Sequence, residues 1–301
     1  MTVPEMQQHP QGGRTMKQRL GMLLAAAALT TSFAVHAQQS AKKAPPAAKA
    51  AAPANKSEVS KEFEKFREVL EEDNPAELYE AKGEDIWKNK KGPNGTSMAQ
   101  CDLGLGAGVV KGAYVHMPRY FADVGQVMDA ERRVVHCMIK YLGYSEADIR
   151  KQPFSNVNKT PDHVSVITYV AAQSRNMKIA APQKHPKEIE AYNIGKEIFA
   201  YRAGPYDFSC ASCHGEDGKR IRTQDLPNLR KPDEAIRAYQ GWPGYRMTGG
   251  FMLTQQWRMN DCFRQQRFPE PSYLSDSITA LLAYMTVTAN GQTYKGPGIK
   301  R

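Results

Sequence analysis

An all-α fold of two tandem domains is what this sequence predicts, and three observations carry the prediction. A Cys210-Ala211-Ser212-Cys213-His214 string has helix-like segments on both sides. The segment before it has a partial copy in the first half of the chain. Apolar residues at helical spacing close each half. Ile278, Leu281, Leu282 and Met285 fall at i, i+3, i+4 and i+7, and Val166, Tyr169 and Val170 begin a similar face.

The elements follow in chain order. Arg14, Lys17 and Arg19 precede an apolar run from Leu20 to Val35 that ends in Val35-His36-Ala37, the layout of an export signal over residues 1–37. The run is short for a bilayer span and leads into a polar tract, so cleavage is expected, leaving no membrane span in a periplasmic protein. Met16 is an alternative start. Residues 38–57 are low-complexity Ala/Pro/Lys, which cannot bury enough apolar surface to fold and read as a tether. The remainder divides into domains at 58–185 and 186–301. In the second, Glu188 to Phe199 is helix-like, with Ile194 and Ile198 one turn apart, and Gly204-Pro205 ends it.

The formal charge is +10 over 301 residues and falls to about +8 without residues 1–37. No nucleic-acid motif accompanies it, so the charge is read as attraction for an anionic substrate or an acidic partner, with no nucleic acid. In an exported chain, the five cysteines should be paired, cofactor-bound or reactive. Cys210 and Cys213 have thioether spacing for haem vinyl groups, and adjacent His214 falls beneath the iron as its proximal ligand. One covalently bound haem c is therefore expected. A cytochrome c-like domain also needs an N-terminal helix crossing a C-terminal one, and 188–199 and 278–285 are the candidates.

The same pattern occurs earlier. Gly195-Lys196-Glu197-Ile198-Phe199 aligns with Gly83-Glu84-Asp85-Ile86-Trp87, and without a gap Gly204-Pro205 falls on Gly92-Pro93, Ser209 on Ser97 and Cys213 on Cys101. Arg258 to Cys262 matches Arg133 to Cys137. Such internal similarity is read as duplication. Met98 then stands where Cys210 aligns and Asp102 where His214 aligns, so the first domain is expected to hold no haem. A Cys101–Cys137 disulfide is expected in its place, and closing a loop that long stabilises by about 3–4 kcal/mol in the chain-entropy model.

Cys262 is left unpaired. It is a candidate sixth ligand to the iron, since no histidine follows His214. Spacing alone favours a methionine in that place, Met247, Met252 or Met259.

At this point the residues resemble a known family. Cys-Asp-Leu-Gly-Leu-Gly-Ala-Gly at 101–108, Lys111-Gly112-Ala113-Tyr114, Pro118 to Asp123, and Trp257-Arg258-Met259-Asn260-Asp261-Cys262 with Gln265-Gln266-Arg267 are similar to SoxA, the larger cytochrome of the SoxAX complex of bacterial thiosulfate oxidation. The likeness spans nearly all of residues 60–290. Met98 and Asp102 depart from the two-haem members and match the one-haem kind, in which a disulfide replaces the first haem. The resemblance implies an L-cysteine S-thiosulfotransferase that joins thiosulfate to a cysteine of the SoxYZ carrier and passes electrons to the cytochrome SoxX. It places the family's distal cysteine, found as a persulfide, at Cys262, and the neighbouring arginine at Arg258.

Residue chemistry is compatible with this. Thiosulfate is a dianion, and Arg258, Arg264 and Arg267 around Cys262 are expected to lower its pKa and orient the sulfonate. A thiolate or persulfide is soft enough for sulfur exchange. Two other readings stand beside it: a plain electron-transfer cytochrome with a methionine on the iron, and a thiosulfate dehydrogenase coupling two thiosulfates to tetrathionate.

Overall fold

Two helix pairs, each crossing at a glycine, set the layout of the chain. The computed structural model describes residues 58–221 and 224–300; the expected signal (1–37) and tether (38–57) lie outside the described residues. Helix α1 (Glu58–Leu70) leads into α2 (Ala76–Asn89), which packs on α5 (Asp162–Ala172). Between them come the short hairpin β1 (Arg119–Phe121) and β2 (Gln126–Met128), then α3 (Ala130–Leu142) and α4 (Glu146–Lys151). In the second half α6 (Pro186–Ala200) packs on α10 (Asp276–Thr288). Between these lie α7 (Cys210–His214), strands β3 (Arg220–Ile221) and β4 (Gln224–Asp225), α8 (Pro232–Tyr239), strands β5 (Gly241–Arg246) and β6 (Phe251–Leu253), and α9 (Gln255–Gln265). Strand β7 (Pro297–Lys300) ends the described chain.

The two crossings match atom for atom. A Cβ on Gly83 would lie 2.0 Å from the carbonyl oxygen of Ser165 and 2.8 Å from Cβ of Tyr169. A Cβ on Gly195 would lie 1.9 Å from the carbonyl oxygen of Ala280 and 3.0 Å from Cβ of Tyr284. Only glycine lets the backbones approach this closely. Aromatic contacts flank each crossing, Trp87 with Tyr169 at 6.3 Å between ring centroids and Phe199 with Tyr284 at 5.0 Å. The turns that follow also match: Ser97 caps Met98–Gln100 and Ser209 caps α7, each through a reciprocal capping box.

One expectation needs correcting. The all-helical fold class is incomplete, because β6-β5-β7 form a three-stranded sheet. Strand β7 pairs parallel to β5 across more than fifty residues of chain, and no local periodicity announces a pairing between such distant segments. In α6, Ile194 is 43% exposed, and the buried positions are Glu188, Gly195 and Phe199. The close crossing at Gly195 leaves Ile194 turned to solvent, while Ile198, half-buried, packs against the cluster around Phe199. By contrast Ile278, Leu281, Leu282 and Met285 are all buried, as are Val166, Tyr169 and Val170. No described helix is long and apolar enough to cross a membrane.

Candidate functional site: a cysteine–histidine–arginine constellation

The short helix α7 presents Cys210, Cys213 and His214 beside an apolar cluster of Phe199, Leu229, Met259, Ile278, Leu281 and Met285, against which Cys210, Ala211 and Phe263 pack. The Ser209 hydroxyl accepts from the Ser212 amide at 3.2 Å and fixes the start of this helix. Nδ1 of His214 donates to the Pro227 carbonyl at 2.9 Å, and the Leu229 amide donates to the His214 carbonyl at 2.9 Å. With Nδ1 used as a donor, Nε2 is the nitrogen free to ligate a metal.

Helix α9 brings the second group of residues. Thr254 caps it by accepting from the Trp257 amide at 3.2 Å, and Arg258, Asp261, Cys262 and Arg264 then follow on successive turns. Cys262 lies within electrostatic reach of both Cys210 and Cys213, and Arg258 within reach of His214. All three of these cysteines are free. Burial pushes the Cys210 thiol up to about 12. Burial also pushes Cys262 up, against the pull of Arg258 and with the help of Asp261. The expected lowering of the Cys262 pKa by arginines is thus outweighed by desolvation in the protein alone.

Asp261 went unassigned at the sequence level, although its spacing marks it. It is 6% exposed and lies three residues from both Arg258 and Arg264 and four from Gln265. Arg258 donates to its Oδ2 at 3.2 Å, Gln265 to Oδ2 at 2.6 Å and Arg264 to Oδ1 at 2.6 Å. The two arginines therefore share one buried carboxylate. Arg267 takes a left-handed conformation (φ 55°) just past α9, and its guanidinium lies over the ring of Tyr206 at 5.5 Å. The methionines separate by place. Met247 is 45% exposed, Met252 is buried with Ala76 and Val164, and Met259 belongs to the cluster around α7.

This donor set fits a c-type haem: two free thiols at thioether spacing, an imidazole held by its Nδ1, an apolar wall, and a third sulfur from α9. The matching place in the first half does not fit one. Met98 is fully buried, and Asp102 closes a turn by accepting from the Gly104 and Gly106 amides at 2.6 and 2.9 Å. Cys101 and Cys137 are joined by a disulfide, with Cα atoms 5.6 Å apart. Arg133, the counterpart of Arg258, is buried, bonded to both oxygens of Asp123 at 3.0 and 2.9 Å and stacked over Phe121.

Comparison with known proteins places this arrangement. Residues 82–179 match the family model described as SoxA/TsdA, cytochrome c domain, which implies haem c chemistry, although those residues are the half without the Cys-x-x-Cys-His string. The SoxXA structure from P. pantotrophus is similar, with a TM-score of 0.63 and 27% identity over 79% of this chain and 84% of that one. The L-cysteine S-thiosulfotransferase subunit SoxA of Hydrogenobacter thermophilus is 35% identical over 228 residues, 75% of this chain and 82% of that protein. The subunit of the same name from Hydrogenophilus thermoluteolus is 44% identical over 241 residues, 80% of this chain and 88% of that protein. With 44% identity over 80% of its length to that subunit, the chain belongs to the SoxA family.

Proposed function

We propose that this chain is the SoxA subunit of an L-cysteine S-thiosulfotransferase, exported to the periplasm, where it works with a SoxX cytochrome on thiosulfate and the carrier SoxYZ. The observation that carries the reading is the meeting of Arg258 and Cys262 with Cys210, Cys213 and His214. The chain is read as two tandem cytochrome c-like domains, 58–185 without haem and 186–301 with one. Cys210 and Cys213 would hold the haem as thioethers, and His214 and Cys262 would ligate its iron. When bound, the haem supplies one-electron oxidation and reduction next to the reacting sulfur.

The chain's own residues account for the rest. Arg258, 39% exposed, keeps guanidinium donors for the sulfonate while Asp261 fixes its position. The terminal sulfur of Cys262, as thiolate or persulfide, forms a bond to the outer sulfur of thiosulfate, and the two electrons released leave to SoxX. The carrier thiolate then attacks that outer sulfur; its bond to Cys262 breaks, and the S-thiosulfonate departs on the carrier. Arg264 is 61% exposed at the mouth of the site, and with Arg267 it offers cationic surface to an acidic carrier.

Thiosulfate-dependent electron transfer with SoxX and SoxYZ present tests the reading. Cys262→Ala should abolish it while leaving the haem attached, and full activity in that variant would sink the assignment. Met259 carries a second reading, a plain electron-transfer cytochrome, because it belongs to the cluster around α7. Low-temperature EPR separates the two: methionine-type axial signals that persist unchanged in Cys262→Ser favour the second.

A further inference from the structure

Helix α9 is held at its first turn by two buried carboxylates from the other half of the chain. Asp129 (3% exposed) caps α3, accepting from the Glu131 and Arg132 amides at 3.0 and 3.1 Å. Its carboxylate also accepts from Nε2 of Gln256 at 3.1 and 3.0 Å and from the Thr279 hydroxyl at 2.6 Å. Glu131 (4% exposed) accepts from the Thr254 hydroxyl at 2.9 Å, the Tyr273 hydroxyl at 2.8 Å and, more weakly, the Gln256 amide at 3.4 Å. Gln256, itself 2% exposed, completes the set by accepting from the Leu274 amide at 3.0 Å. Thr254 is the cap of α9 and Gln256 lies in its first turn, so every bond from Glu131 except that of Tyr273 ends on the start of the helix that carries Arg258 and Cys262.

We propose that Asp129 and Glu131 are positioning residues of the sulfur-transfer site: through Thr254 and Gln256 they fix the register of α9, and so the placement of Arg258 and Cys262. This rests on the reading that those two residues work on thiosulfate. A buried polar network of this kind specifies one arrangement only while every member is satisfied. Among the described residues, neither carboxylate has a Lys or Arg side chain as a hydrogen-bond partner. The ionisable groups facing Glu131 are Asp129 on its own helix, Tyr273 ahead of α10 and Tyr114 from the turn before β1, while Tyr239 of α8 faces Asp129. Arg132 turns away to Asp276, and Arg150 donates to Glu146 at 2.7 Å and to the Tyr273 carbonyl at 2.6 Å. Beside the pair, Tyr114, Tyr239, Gln255 and Thr286 line a cavity of about 20 Å³, room for one water through which a proton can exchange. Burial, and next the charge of Asp129, push Glu131 up to about 8, so it holds a proton at neutral pH.

Amide hydrogen exchange on the full haem-loaded protein tests this, with segment 255–265 read against segment 162–172. In Glu131→Ala, exchange in 255–265 should rise at least tenfold relative to 162–172, with a higher KM for thiosulfate; Glu131→Gln should restore both at pH 7. If Glu131→Ala does not fold, the pH series decides. After correction for intrinsic exchange, the native protein should lose protection in 255–265 between pH 7 and 9, and Glu131→Gln should not. Equal protection of 255–265 in Glu131→Ala and the native protein, or the same alkaline loss in Glu131→Gln, overturns the proposal. Amide exchange is blind to which sulfur reacts, so failure of the sulfur-transfer reading shows separately, as retained activity in Cys262→Ala.

Discussion

Asp261 illustrates how much a single side chain decides in this site. Its two oxygens hold Arg258, Arg264 and Gln265, so the positive charge near Cys262 is half neutralised before any anion arrives. What the carboxylate supplies is direction, since a guanidinium held on one side presents its remaining donors on the other. Asp261→Ala should therefore raise KM for thiosulfate more than it lowers kcat, with kcat/KM down roughly tenfold, equivalent to about 1.4 kcal/mol. Steady-state assays with SoxX and SoxYZ check this, and an unchanged KM would show that Arg258 needs no such guide. The arginines and the cysteine were legible as residue types in a motif. The partner that orients them was written there too, at helical spacing, but only the helix itself shows that it holds all three neighbours at once.

At the scale of elements, the glycine crossings are the most sensitive points. Gly195→Ala places a methyl 1.9 Å from the Ala280 carbonyl, a backbone atom that cannot swing aside. The two helices must separate, at a cost of about 1–3 kcal/mol, and α6 and α10 frame α7. A lower thermal midpoint together with faster haem loss is expected, and calorimetry with the Soret band checks both. The sequence pointed to both helices, because capping, breakers and apolar spacing are local properties. Which face of α6 is buried was not legible, because burial at a crossing follows from how closely backbones approach, and the exposed Ile194 is as apolar as the buried Phe199. In the first half the disulfide ties the segment at Cys101 to α3 over a separation of 36 residues. Its reduction, or a Cys101→Ser/Cys137→Ser pair, should cost about 4 kcal/mol by loop-closure entropy. Denaturant unfolding with and without reductant measures it.

For the whole molecule, buried ionisable groups set the pH range of stability. Glu131 is raised to about 8 when folded, by burial and then by Asp129, so its contribution is complete below the unfolded carboxyl range and is lost as pH rises through about 8. His163 is lowered to about 4 by burial, so its contribution is present above its unfolded value of 6.5 and is lost as pH falls through about 4. Between pH 4.5 and 6.5 the two slopes oppose each other. Stability should therefore be flat across that window and fall on either side. Glu131→Gln should remove the alkaline fall and leave the acid one, which urea unfolding from pH 4 to 9 will show; an alkaline limb that persists in the variant contradicts the assignment to Glu131. Neither group was legible as special in the sequence, since each is an ordinary polar residue inside a helix until another helix covers it.

What the sequence determined by itself is the chemistry available and the local shape that carries it. The Cys210–His214 string, the altered positions Met98 and Asp102, the paired glycines and the terminal helix faces are all fixed by residue type at short spacing. What only the tertiary structure decided is which distant groups share a site. It set α9 against α7, ran β7 alongside β5, and placed Asp129 and Glu131 under the helix that carries Cys262. The reason is physical: hydrogen-bonding and apolar periodicity repeat over a few residues, whereas burial depends on chain segments more than a hundred residues apart.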